Sequence, residues 1–356
     1  MNSIYKILGI IILALFILFF CLSPILGQEE EVLPLHQKRL SDRVLIVWAG
    51  DAMQMIATVA LATEKGLVVI ETSLIREYDT RIRKTIEKEF GRNDFKYLIN
   101  THYHHDHTAA NQIYSDSTII GHKNVPAGMK SELTGEGLVN LIEKFKAMLP
   151  EREQALKDLD PKSHEYIFNK EFVILLKVAI RELSEGLIPT YPTILFEKNM
   201  ILDMGDMTLE LYAMGGMHTD SDIAIFVPEE GLLAVGDVPP ERWIPYLRKE
   251  TVSCLDTTLE NWGRILKGDR EIKYINMAHS DMYLTLESFK QQYNYLYSLW
   301  KGLSETQQKG LTREDAKQEF TLQDDFPYFL DERTQSRRDA LHVNNIEVLW
   351  DLIAKE

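Results

Sequence analysis

The chain has 356 residues, 45% of them hydrophobic and 26% charged, which is enough apolar material for an ample core and excludes disordered and collagen-like classes. Its formal charge of −15 disfavours polyanionic partners, because an acidic surface repels phosphate backbones, so no nucleic-acid partner is expected.

At the N-terminus Lys6 precedes the apolar run Ile7 to Phe20. Cys21-Leu22-Ser23-Pro24-Ile25-Leu26-Gly27 then leads into the polar Gln28-Glu29-Glu30-Glu31. Residues 1–27 read as a secretory signal removed after Gly27, which predicts an exported protein, periplasmic or secreted. The alternative is an uncleaved anchor over residues 7–27, close to the roughly 20 residues that span a bilayer, and membrane contact is expected only through that segment. A lipoprotein reading of Cys21 is disfavoured because Leu18-Phe19-Phe20 lacks the small residue such sites need. Removing the signal, whose only charge is Lys6, gives −16 and leaves Cys254 as the sole cysteine, so the mature chain has no intramolecular disulfide. Cys254, in Val252-Ser253-Cys254-Leu255, reads as a small buried hydrophobe rather than a nucleophile.

Arg43 to Trp48 and Ile56 to Leu61 are strand-like, separated by Gly50-Asp51, and Gly66 to Ile70 is a third strand. Thr80 to Phe90 is charged, with Ile82 and Ile86 four apart, which suits a surface helix. The strand Tyr97-Leu98-Ile99-Asn100 then delivers Thr101-His102-Tyr103-His104-His105-Asp106-His107, four ligand candidates in six positions. Imidazole and carboxylate are the ligand set of borderline metals such as zinc, and so dense a cluster is too costly to desolvate for packing alone. Strand-end alternation turns His105 away from the groups that His104 and Asp106 address.

Ser117 to Ile120 is the next strand. Between His122 and Pro192 the pattern becomes helical: Leu138, Leu141, Ile142, Phe145 and Leu149 share one face, and Phe172, Leu175, Leu176, Ala179 and Leu183 another. This insertion, about 123–190, could form a lid or substrate wall, or an outer packed layer; Met129 and Met148 read as filler. Three further apolar runs each end on a ligand candidate: Leu209 to Met217 on His218, Leu232 to Gly236 on Asp237, and Tyr274 to Ala278 on His279. His102, His104 and His218 would hold one metal, Asp106, His107 and His279 a second, and Asp237 would bridge them. Metals so bridged sit roughly 3.5–4 Å apart and share an activated water. Phe289, Tyr293, Leu296 and Trp300 mark one C-terminal helix and Leu341 to Ala354 another, with a helix start at Thr312-Arg313-Glu314-Asp315. The aromatics of the first read as core rather than a stacking surface. His36, His122, His164 and His342 read as surface or hydrogen-bonded residues rather than ligands.

The T-H-x-H-x-D-H run, Gly216–Thr219, Gly236-Asp237 and the late His279 resemble, in that order, the metallo-β-lactamase-fold hydrolases over roughly Arg43 to Trp300. A bridging Asp rather than a Cys makes the motif similar to the hydroxyacylglutathione hydrolases. The resemblance implies an α/β, four-layer αββα sandwich with the metals at one edge, here with a helical insertion and a C-terminal helical extension. Residues 28–300 would form the catalytic domain and 301–356 the extension packed on it. Two departures stand out. Glu71-Thr72-Ser73 replaces Asp-Thr-Gly, keeping a carboxylate one methylene longer that could orient a metal-bound His. Ala278-His279-Ser280 replaces Gly-His-Gly.

The expected activity is hydrolysis of a small-molecule substrate by a metal-held hydroxide, with two zinc ions as cofactors, iron or manganese being the other candidates. Asp106 is expected to act catalytically by taking up the nucleophile's proton. A β-lactam, lactone, ester or thioester fits. The alternatives are a mononuclear iron dioxygenase of sulfur compounds using His102, His218 and Asp237, a phosphodiesterase, and a non-catalytic metal-bound binding module.

Overall fold

β-Branched and apolar runs build two sheets. In the computed structural model, which describes residues 32–354 apart from 53–54, 239, 253–254, 269, 280–283 and 331–334, the first sheet has seven strands in chain order. They are β1 Leu35–Ser41, β2 Val44–Ala49, β3 Thr58–Thr63, β4 Gly66–Ile70, β5 Phe95–Ile99, β6 Thr118–His122 and β7 Ile194–Phe196. Pairing is antiparallel up to β4 and parallel from β4 to β7. The second sheet has the order β12-β11-β10-β9-β8, from β8 Asn199–Asp203, β9 Thr208–Ala213, β10 Ile223–Val227, β11 Leu232–Ala234 and β12 Tyr274–Asn276. The signal segment 1–27, Cys21 and Cys254 lie outside the described residues.

Strand alternation sorts the side chains into layers. Val44, Ile46, Val59, Val68 and Ile70 of the first sheet meet Leu209, Leu211, Ile223, Ile225 and Val227 of the second in a core between the sheets. The alternate residues Leu45, Val47, Leu67 and Val69 face Ile82 and Ile86 of α1 (Arg76–Phe90). On the far face of the second sheet, Tyr212, Ala224, Phe226 and Leu233 pack with α6 (Leu255–Leu266), α7 (Leu286–Gln308), α8 (Arg313–Glu319) and α9 (Gln335–Ile353). The result is the αββα sandwich. Because both faces of each sheet are covered, β2, β4 and β10 read as nearly continuous apolar runs.

The insertion between β6 and β7 is three helices: α3 Val125–Leu133, α4 Gly135–Asp158 and α5 His164–Glu185. Its two apolar stripes fall on α4 and α5 as expected, and α4 continues through Pro150. Two buried carboxylates pin α5 to the sandwich. Glu171 accepts the N–H groups of Asp51 (2.5 Å) and Ala52 (3.0 Å), and Glu182 accepts those of Arg76 (2.8 Å) and Glu77 (3.0 Å). The insertion is therefore a fixed wall. α1 begins four residues before the expected Thr80, and its N-cap Ile75 offers no side-chain acceptor, so Glu182 supplies the cap from a distant helix. Strand β1 and helix α6 were not anticipated from the sequence, and α7 crosses residue 300, where the domain was expected to end. Thr312 forms a capping box with Asp315 at the start of α8. Among the described residues no helix is long and apolar enough to cross a membrane.

Candidate metal centre

Strand C-termini from both sheets converge at one edge, the place where open α/β sheets present ligands. The sheets are stitched together there: Ile223 N–H donates to Thr101 O (2.8 Å), and Ala57 N–H to Ala278 O (2.7 Å). β5 delivers Thr101 to His104 and the single-turn α2 (His105–Thr108), while the loops after β9, β11 and β12 deliver His218, Asp237 and His279. Gly236 is required by geometry. Its φ is +57°, and a Cβ there would lie 2.6 Å from Thr101 Oγ1.

All seven expected side chains come together in groups that share atoms at coordination spacing. His104 Nδ1 lies 3.1 Å from His102 Nε2 and 2.9 Å from His218 Nε2, and Asp237 Oδ2 is 3.2 Å from His218 Nε2 and 3.9 Å from His102 Nε2. In the second group His279 Nε2 is 3.2 Å from Asp106 Oδ2 and 3.3 Å from His107 Nε2. Asp237 reaches this group too, with Oδ1 3.4 Å from His107 Nε2 and Oδ2 3.5 Å from His279 Nε2. Tetrahedral ligands at about 2.0–2.1 Å from zinc are about 3.3 Å apart. The donor set therefore fits divalent-cation binding, with Asp237 within reach of both groups. Asp237 Oδ1 is buried and receives no hydrogen bond, an orphaned acceptor that a cation would satisfy.

The electrostatics agree with that fit. Burial, with help from His107, holds the His102 imidazole well below its usual range, and burial pulls His218 down to about 4, leaving both rings neutral with lone pairs to donate. Burial also pulls on His107, but Asp237, Glu71 and Asp106 hold it well above its usual range. Asp106 and Asp237 are held well below the usual carboxylate range, burial being outweighed by His107 and His279. Without a cation, a proton on His107 balances the carboxylates; a divalent ion would replace it.

Supporting groups fix the rings. Glu71 is almost completely buried, and its backbone sits at φ +72°, an unusual conformation for a side chain of this size. That turn brings its carboxylate onto Thr101 Oγ1 and to 3.3 Å from His107 Nδ1, leaving Nε2 directed at the site. Asp222 closes the loop of His218, accepting the N–H of His218 (3.0 Å) and of Thr219 (2.9 Å). Glu132, at the end of α3, accepts the His105 N–H (2.9 Å), contacts His105 Nδ1 (3.0 Å) and lies 3.8 Å from His104 Nε2. His105 thus turns to Glu132, and it does so from the first position of a helical turn rather than by the strand-end alternation expected from the sequence. Glu132 and Asp222 went unassigned in the sequence; the only local signal was Asp222 lying four residues after His218. His36, His122 and His342 are hydrogen-bonded elsewhere, to Asp51, Glu197 O and Tyr295, and His164 is exposed at the start of α5.

A cavity of about 200 Å³ opens beside Asp106 and His279, between the sandwich and the insertion. A larger hollow of about 370 Å³ lies on β8 and β9, lined by Arg264, Lys267 and Arg270 and by none of the seven residues.

Residues 55–249, more than half of the chain, match the family model described as the metallo-beta-lactamase superfamily. No curated protein matches the sequence significantly. Among solved structures, the stereoselective inverting sec-alkylsulfatase Pisa1 of a Pseudomonas species superposes with a TM-score of 0.55 at 15% identity, over 89% of this chain and 50% of that one. A metallo-beta-lactamase from Pontibacter korlensis gives 0.45 at 13% identity, over 72% of this chain and 96% of that one. A metallo-beta-lactamase family protein from Thermus thermophilus gives 0.46 at 14%, over 90% and 93%. At these identities the likeness is one of fold.

Proposed function

The chain belongs to the metallo-beta-lactamase superfamily, and from that premise we propose that it is an exported, dinuclear zinc-dependent hydrolase that cleaves an acyl bond of a small molecule, a β-lactam, lactone, ester or thioester. The observation that carries this reading is the convergence of seven side chains at one edge, with Asp237 reaching His218 (3.2 Å), His107 (3.4 Å) and His279 (3.5 Å). Bound there, two divalent ions would lower the pKa of a shared water from roughly 15.7 to about 7 and polarise the scissile carbonyl. His102, His104 and His218 would hold one ion, Asp106, His107 and His279 the other, and Asp237 both. Asp106 stands at the exposed side of the centre, where it can take the nucleophile's proton. Glu71 and Asp222 keep His107 and His218 in place, so little reorganisation is needed when substrate binds. The complete second group favours this reading over a mononuclear iron dioxygenase, which needs only His102, His218 and Asp237.

The test is elemental analysis of the purified mature chain, with N-terminal sequencing to ask whether it starts at Gln28. Two zinc ions per chain, with chelator-sensitive turnover of an acyl substrate that disappears in the His107→Ala, Asp237→Ala double variant, is the expected result. A single iron with oxygen consumption on persulfides, or full activity in the double variant, overturns the reading.

A further inference from the structure

The cavity beside the metal centre has a composition of its own. Met55, Ile56 and Leu74 form one wall, and Phe145, Met148, Phe172 and Leu175 from α4 and α5 form the other. Apart from Asp106 and His279, its polar lining groups are His105, already engaged by Glu132, and Lys144. Ile56, Leu74, Phe145 and Leu175 are each buried. Glu171 and Glu182 hold α5, so the walls are set before anything binds. The cavity is partly open to solvent and ends at two metal-site side chains rather than in the core.

An apolar cavity of about 150 Å³ stays dry and accepts benzene. At about 200 Å³ this cavity has room for a phenyl group or a chain of roughly six to eight carbons. We propose that it receives an apolar substituent of that size, carried next to the bond that is hydrolysed, so that the substrates are hydrophobic acyl compounds. This rests on the hydrolase reading for the word substrate, but the cavity's preference for an apolar group stands apart from it. A hydrated substituent would lose its water against seven apolar side chains, with Lys144 the one cationic side chain of the lining to meet it. The insertion is thereby the specificity element of the site, and Met148, which reads as filler in sequence, belongs to the recognition surface.

The experiment is calorimetric titration of the full chain with neutral 1-alkanols from butanol to dodecanol, in zinc-loaded and chelator-stripped protein. Affinity is expected to rise about fourfold per added methylene and to level off at roughly six to eight carbons. Leu175→Trp, which fills the cavity, should weaken octanol at least tenfold with zinc content unchanged. Phe145→Ala, which enlarges it, should move the plateau to longer chains. No dependence on chain length, or both variants behaving as the parent, overturns the proposal. Failure of the zinc count with the alkanol ladder intact would remove the hydrolase reading and leave the apolar cavity standing.

Discussion

Glu71 shows how much one side chain can set. It is buried, takes an αL backbone and faces both Thr101 and His107. Glu71→Gln keeps the shape but removes the carboxylate that lies 3.3 Å from His107 Nδ1. Zinc affinity, measured by competition with a chromophoric chelator, is expected to fall about 10- to 100-fold; an unchanged affinity would show that Thr101 and packing suffice. Asp79 is a second case, away from the metal ligands. Burial raises its carboxyl to about 7, against help from Ser73, whose N–H (3.0 Å) and hydroxyl (2.5 Å) both donate to Oδ2. The folded state therefore holds this proton more tightly than the unfolded state. The contribution is most favourable below the unfolded pKa near 3.8, declines as pH rises from there to about 7, and is level above. Asp79→Asn removes that dependence. In urea titrations the variant should gain on the parent by a few kcal/mol between pH 4 and pH 8, and a difference independent of pH would contradict the assignment.

The elements that carry the metal groups were legible because each is a short apolar run ending in a ligand-type residue. β5, β11 and β12 end at Ile99, Ala234 and Asn276, each three residues before its expected side chain, and β9 ends at Ala213, five before His218. The stripe of α4 was legible because Leu141 and Phe145, four apart, are its buried residues, whereas α5 buries Val173 and Ile174 beside Leu175 and Leu176 and so hides more than the one face read from its stripe. Long-range polar contacts were not legible. Nothing in the sequence near Ile75 announces that the N–H groups of Arg76 and Glu77 are capped by Glu182, more than a hundred residues away, nor that Glu132 would reach His105. The fixed position of the insertion depends on those contacts. Glu182→Ala leaves two helix N–H groups and Arg76 Nε without their carboxylate acceptor, while the guanidinium keeps the backbone carbonyls of Gly186 and residue 182, and is expected to cost about 2–3 kcal/mol in urea unfolding. Glu182→Gln should lose less. Hydrogen exchange at the first turn of α1 is the discriminating readout: if it does not quicken in Glu182→Ala, α5 is not held to the sandwich through this contact.

At the scale of the whole molecule, the C-terminal segment is part of one of the four layers. Leu322, Phe326, Phe329, Ile346 and Leu349 are buried in the same cluster as Phe226, Leu233 and Trp262, so the segment shares with α6 and α7 the cover of the second sheet's far face. The segment also reaches the metal-bearing edge. Asn345 on α9 accepts the N–H of Leu247 (3.0 Å) and donates to Pro245 O (2.6 Å), fastening the stretch that follows Asp237. Fully burying each large apolar side chain contributes about 1.5–3 kcal/mol, so losing five of them matches the roughly 5–15 kcal/mol by which a whole domain is stable. A chain ending at Gly310 is therefore expected to lose its near-UV circular dichroism and its zinc together, even though all seven converging side chains lie upstream of the cut. If that shortened chain instead unfolded cooperatively with an undiminished zinc content, α8 and α9 would be an appendage, and Asp237 would be held by the sandwich alone.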